Sequence, residues 1–224
     1  MFVLALSLTN CETEKESEGL FRITYYAEIT LEGGGIAIPV GGTYTEPGFS
    51  GLENGVDKTA DIVVVDDIDA SAIGVYSVEY SLVNADGYYS YASRTVVVYD
   101  PAAPDNDFSG TYSTAIVRTE GDGTTPRDYA GSTTITKLGP GFFEVSCLLG
   151  GTYSIHYGYG SAYAMHAYVT LSADNTLSLV SSSVAGWGDS AEGFQNGIVH
   201  PGTGLPYWET IYAGGDIYAV TCSN

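Results

Sequence analysis

The sequence predicts an all-β protein of two domains: an N-terminal β-sandwich, then a second all-β domain that closes as a small barrel or a two-sheet sandwich. Three observations predict this. Glycine makes up 29 of 224 residues, about twice the usual ~7%, and Tyr, Thr, Val and Ser are frequent while long Ala/Leu/Glu/Lys runs are absent. Apolar residues recur with a period of two, and no segment shows helical periodicity. Glycine-centred turn signals punctuate the chain every 8–12 residues or so, the spacing of short antiparallel strands.

Residues 1–10 hold an apolar run far short of the ~20 residues that span a bilayer. They are expected to be a lipoprotein signal peptide, truncated because no Lys or Arg precedes the run. Leu8-Thr9-Asn10-Cys11 resembles a bacterial lipobox, although Asn10 is a less usual occupant of the position before the cysteine. The resemblance implies that Cys11 is lipidated and that the partner of this end is a membrane, reached through the lipid anchor. The alternative is a buried N-terminal strand with an incidental cysteine. Residues 11–19 carry four Glu and one Lys and no apolar surface to bury, so they are expected to be an acidic tether. An acidic stretch after the cysteine resembles the surface-export signal of Bacteroidetes lipoproteins.

Residues 20–100 read as strands. Tyr76, Val78, Tyr80 and Leu82 alternate with Ser77, Glu79 and Ser81, and short apolar runs occupy Ile62–Val65 and Thr95–Tyr99. Gly33-Gly34-Gly35, Gly41-Gly42, Pro47-Gly48, Asn54-Gly55 and Asp86-Gly87 mark the turns. No cysteine falls in this block, so no disulfide joins its sheets. Val40-Gly41-Gly42-Thr43-Tyr44-Thr45-Glu46-Pro47-Gly48, Ile73-Gly74-Val75-Tyr76-Ser77-Val78-Glu79-Tyr80 and Ala92-Ser93-Arg94-Thr95-Val96-Val97-Val98-Tyr99-Asp100 resemble, in that order, a bacterial Ig-like module of the type also attached to crystal toxins. The resemblance implies an Ig-like β-sandwich that acts as a spacer or docking unit. Residues 101–106, with Pro101 and Pro104, are expected to be a semi-rigid linker that holds the two domains apart.

Residues 107–224 continue in strands. Tyr112, Thr114 and Ile116 alternate with Ser113, Ala115 and Val117; Tyr163, Met165, Ala167, Val169 and Leu171 form a second alternating set, and Asp174-Asn175 signals a hairpin before Leu177. Some eight or nine strands in one meander call for closure, which removes exposed edges. Phe108-Ser109-Gly110-Thr111-Tyr112, Ile135-Thr136-Lys137-Leu138-Gly139-Pro140-Gly141, Trp187-Gly188-Asp189-Ser190 and Pro201-Gly202-Thr203-Gly204 resemble the C-terminal domain of a Bacteroidetes surface lipoprotein family of unknown function, which pairs it with the Ig-like module. Cys147 stands where that pattern wants a polar residue, and His200 where it wants an acid. The resemblance implies an outer-membrane, lipid-anchored protein facing outward; it implies no activity.

With 27 acidic and 7 basic residues, the protein repels phosphate backbones, which excludes nucleic acid as a partner. Asp66-Asp67-Ile68-Asp69 and Asn84-Ala85-Asp86-Gly87 could offer oxygen ligands to Ca²⁺, but neither has EF-hand spacing, and solvated loop acids are the simpler account. No cofactor and no metal site is expected. If Cys11 is lipidated, Cys147 and Cys222 remain as a candidate disulfide, or as two separate buried thiols.

Trp187, Trp208, Tyr157, Tyr159, Tyr163 and Tyr207 fall in or near Gly-rich stretches, with Asp189, Gln195 and Asn196 nearby in sequence. Rings that stack on a pyranose face, beside carboxylates or amides for its hydroxyls, would make a glycan platform. The competing account has both tryptophans plugging the domain core. No nucleophile elbow, zinc motif or paired Cys-x-x-Cys occurs. Asp189, Glu192 and Glu209 could in principle supply a glycosidase acid/nucleophile pair, but sequence spacing does not give the separation that mechanism needs. The expected function is therefore a non-catalytic glycan-binding module. A structural or adhesive protein-binding lipoprotein is the alternative, and a glycoside hydrolase a distant third.

Overall fold

A computed structural model describes residues 23–224; the expected signal segment, the tether and Cys11 lie outside the described residues. The first domain contains β1 (Glu28–Leu31), β2 (Ile36–Pro39), β3 (Phe49–Glu53), β4 (Val56–Asp57), β5 (Val63–Asp66), β6 (Gly74–Val83) and β7 (Tyr89–Tyr99). They form two sheets, β1-β3-β4 and β2-β7-β6-β5. β2 runs parallel to β7, and the other pairs are antiparallel. Val78, Tyr80, Val96, Val98 and Ile38 make the core between the sheets, which is the buried face of the period-two pattern.

One buried charge fixes this sandwich. Arg94, on β7, donates from Nη2 to Glu46 Oε1 at 3.0 Å and from Nη1 to the Gly34 carbonyl at 2.9 Å. Glu46 also accepts from the hydroxyls of Tyr44 and Tyr80. Burial pushes the Glu46 carboxyl up, but these hydrogen bonds and the Arg94 charge outweigh it and hold it below the ordinary glutamate value. The valine run that the sequence marks as a strand becomes β5, at the edge of its sheet with Val63, Val64 and Val65 all exposed. Alternation still puts Val64 on the inner face beside Tyr80, but at the sheet edge the opposing sheet leaves it uncovered.

The Pro101–Pro104 segment turns rather than extends. Ala103 donates its backbone N–H to the Asp100 carbonyl at 2.9 Å, and Gly139 and Gly141 of the second domain close against the first domain and the linker. A Cβ at Gly139 would stand 3.0 Å from that of Ala37, and one at Gly141 would stand 2.5 Å from that of Ala103. The expected held-apart spacer is thus corrected: the linker is short and the facing positions are glycines, so the backbones meet.

The second domain adds β8 (Gly110–Thr119), β9 (Arg127–Gly139), β10 (Phe142–Val145), β11 (His166–Leu171), β12 (Leu177–Ser183), β13 (Gly193–Val199), β14 (Pro206–Tyr212) and β15 (Asp216–Ser223). They form one antiparallel sheet in the order β12-β11-β10-β9-β8-β15-β14-β13. It curls until its two edge strands nearly meet, joined by a bridge between Thr176, just ahead of β12, and Ile198 on β13. The choice between barrel and sandwich thus resolves to a nearly closed barrel. Strand alternation sends Tyr112, Ile116, Ile135, Phe143, Trp208, Tyr218 and Val220 inward. The second alternating set begins as a strand only at His166; Tyr163 belongs to a 3₁₀ turn ahead of it.

Candidate functional site

Strand polarity gives the barrel two unlike ends. The linker enters at the start of β8, beside Phe108 and Phe143, whose rings sit 4.0 Å apart. The other end gathers the finish of β8, β10, β12 and β14 and the start of β9, β11, β13 and β15. Two long connections cross that far end, residues 146–165 and residues 184–192.

The first connection is set by glycines. Gly150 and Gly151 both take positive φ, 63° and 95°, a region glycine enters without strain. Thr114 donates its hydroxyl to the Gly150 carbonyl at 2.5 Å. Next comes a π-helical turn over Thr152–His156, in which His156 N–H bonds Gly151 O and Tyr157 N–H bonds Thr152 O. The wider turn points Tyr153 toward the barrel mouth, where its hydroxyl meets that of Tyr218 at 2.7 Å. Tyr157 bonds Tyr129 through their hydroxyls at 3.1 Å. A 3₁₀ turn, Ser161–Tyr163, completes the connection.

Trp187, on the second connection, packs edge-on against this layer. Its ring centroid is 4.9 Å from Tyr153 at 89° and 4.9 Å from Tyr163 at 61°. Tyr157, Tyr159 and Trp187 keep 43%, 53% and 42% of their surface exposed, above half-buried Tyr153 and Tyr163. Beneath them Arg118 pairs with Asp216 and lies 5.6 Å over the Tyr218 ring. Asp189 accepts from Tyr212 at 2.8 Å. Burial, then that bond, pushes the Tyr212 hydroxyl above its ordinary value; burial and the Tyr153 bond do the same to Tyr218. These phenols stay protonated and neutral.

The candidate residues therefore separate. Trp187, Tyr157, Tyr159, Tyr163 and Asp189 come together at the far end. Trp208 does not: it is 1% exposed, and its Nε1–H donates to the Leu148 carbonyl at 2.7 Å. It is the core plug, because inward positions on β14 alternate through Trp208, Thr210 and Tyr212. Tyr207 is likewise corrected. It lies five positions before Tyr212 on β14, about 16 Å along the strand, and its hydroxyl goes to Glu209. Gln195 and Asn196 also bind Glu209, at 2.7 and 2.9 Å, so these amides serve that carboxylate and not the aromatic layer.

Of the three acids a glycosidase pair would draw on, Glu209 stands apart from the other two. Glu209 points outward in mid-strand, whereas Asp189 is tied to inward-pointing Tyr212 and Glu192 accepts from the Gly214 and Gly215 amides. The candidate disulfide is absent: Cys147 and Cys222 are both free and buried. The Cys147 sulfur accepts from the Gly151 amide at 3.2 Å, while burial pushes the Cys222 thiol up to about 12. Among the described residues no group of three or more His, Cys, Asp or Glu could hold a metal ion. Asp66, Asp67 and Asp69 instead accept from the backbone amides of Ile68, Ser77 and Ser71.

Tyr153, Tyr129, Tyr212 and Tyr218, which build the support of the platform, escaped sequence reasoning. A signal existed in the tyrosine density of Gly150–Tyr163. That Tyr212 and Tyr218 lie beneath it required the barrel.

Fold and site define the class: a two-domain all-β protein in which an Ig-like sandwich carries a nearly closed barrel with an aromatic far end. A family model for a bacterial surface protein Ig-like domain matches residues 29–98, and another, described as a C-terminal domain, matches residues 100–224. The crystal structure of the lipoprotein BT2262 from Bacteroides thetaiotaomicron is 32% identical, covers 89% of this chain and 100% of that one, and superposes with a TM-score of 0.52. The chain belongs to the family of that lipoprotein. Two structures of Clostridium perfringens ZmpB are looser matches. One, of CBM51-2 with GlcNAc and INT domains, has a TM-score of 0.31 and 19% identity over 54% of this chain and 29% of that one. The other, of the M60 catalytic domain with CBM51-1 and CBM51-2, has 0.30 and 16% over 54% and 14%. Scores this low say nothing about this chain's ligand. No curated protein matches in sequence.

Proposed function

We propose that this protein is a lipid-anchored surface protein of the outer membrane, facing outward, whose barrel is a non-catalytic glycan-binding module. The observation that carries this is the far-end platform: Tyr157, Tyr159 and Trp187 exposed together on a fixed layer of rings. Exposed flat rings cost free energy in water unless a partner covers them, and the apolar face of a pyranose fits such rings. The platform also lies at the barrel end opposite the linker, which is where a stalked protein meets its ligand. The Bacteroides relative is a lipoprotein, which supports the anchor at Cys11.

A glycan array probed with the purified chain tests the proposal. Binding to a subset of glycans that Trp187→Ala removes, with folding intact, is expected; silence across the array would overturn it. Protease treatment of whole cells tests the address, since an outward-facing protein is shaved away and an inward-facing one is spared.

A second reading, adhesion through protein contact, is favoured by the Ig-like domain. Val63, Val65, Val83, Tyr89 and Tyr91 form an exposed apolar face across β5, β6 and β7. A protein pull-down that is positive while the array is silent would select it.

A further inference from the structure

A second recess lies on the outer wall of the barrel, on the other side of the same connection. The outward residues Thr134, Ser146, His166 and Ser183 form a row across β9, the end of β10, β11 and β12: Ser146 N–H bonds the Thr134 carbonyl, and His166 pairs with Ser183. Ser154, Ile155, Ser161 and Ala164, from the π-helical and 3₁₀ turns, roof this row. Together they enclose about 450 Å³, within the size range of small-molecule sites.

The chemistry of the lining is specific. Ser132, Ser161 and Ser183 make no side-chain hydrogen bond among the described residues, so each hydroxyl can both donate and accept. His166 Nε2 lies 2.6 Å from Glu144 Oε1. That contact orients the imidazole and leaves its other nitrogen, Nδ1, without a protein hydrogen bond among the described residues. Ile155 and Ala164 offer a small apolar patch. No Lys or Arg lines the recess, so an anionic ligand would find no counter-charge, in a protein already at −20.

From this geometry we propose that the recess binds one neutral, hydroxyl-rich ring, a pyranose, as a site separate from the aromatic platform. Free hydroxyls match ring hydroxyls in both hydrogen-bond senses, and the roof supplies a C–H face. The site does not depend on the platform being a glycan site.

The test is methyl NMR of the full chain, titrated to about 10 mM with glucose, galactose, mannose and N-acetylglucosamine, and with glucose 6-phosphate as the anionic control. At least one neutral sugar should shift the methyls of Ile155, Ala164 and Ala185, the last also on the recess wall, with the phosphate binding about tenfold more weakly. Ser161→Trp, at an exposed position with no bond to lose, should abolish those shifts; His166→Ala should weaken them about tenfold; Trp187→Ala should leave them in place. Silence from all four neutral sugars overturns the recess site. So do shifts that survive both Ser161→Trp and His166→Ala. Shifts removed by Trp187→Ala alone overturn it too, and would leave the platform reading standing.

Discussion

Gly131 and Gly150 touch backbone to backbone: a Cβ built on Gly131 would lie 2.3 Å from the Gly150 carbonyl oxygen. This contact seats the connection that carries both the aromatic platform and the roof of the recess. Gly131→Ala must therefore push residues 150–157 away from β9. A cost of about 1–3 kcal/mol is expected, read as a lower denaturation midpoint, with loss of the near-ultraviolet dichroism of the clustered tyrosines.

The two tryptophans should answer oppositely to truncation. Trp208→Ala removes a fully buried ring and leaves the Leu148 carbonyl only the longer bond from Thr210, at 3.3 Å, so it should cost about 3–5 kcal/mol. Trp187→Ala removes a ring already half in water and should cost about 1 kcal/mol or less. Paired chemical denaturation curves check this, and equal costs would contradict the division into plug and platform.

Acid should weaken the Ig-like domain through Glu46. Its folded carboxyl sits below the ordinary value of 4.5, with burial opposing and the Tyr44, Tyr80, Gly48 and Arg94 interactions lowering it. A lowered folded value contributes stability that is fully present above 4.5 and lost as pH falls through the folded value. Glu46→Gln should flatten the acid limb of a stability–pH curve measured below about pH 5, at the expense of a lower plateau at neutral pH.

Cysteine chemistry offers a direct check on the two thiols. With its thiol pushed up to about 12 by burial, Cys222 should resist alkylation at pH 8 in the native protein. Denaturation without reductant should expose both Cys147 and Cys222 to full labelling in site-resolved mass spectrometry. A Cys147–Cys222 disulfide would leave both unlabelled until reduced.

Breaking the ion pair below the platform should loosen it. Asp216 holds both Arg118 and the Gly121 amide and is largely buried, so Asp216→Asn should cost about 1–3 kcal/mol. Tyrosine fluorescence should then report a less ordered ring cluster before global unfolding.

The strands, the turns and the two-domain order were legible because they are local. Period-two alternation shows in Val78-Glu79-Tyr80, and the turn chemistry of Asn54-Gly55 or Asp174-Asn175 sits within a few residues. The platform was half legible: Trp187, Tyr157, Tyr159 and Tyr163 stood out as loop aromatics, yet nothing local separated them from Trp208 or Tyr207. Burial of Trp208 depends on Leu148, 60 positions away, and the seat of Tyr153 depends on Tyr218, 65 positions away. By itself the sequence determined an all-β chain and which residues can alternate into a core. Only the nearly closed barrel decided which aromatics fill that core and which are left in water, because the curling of the sheet brings together strand ends that no local spacing relates.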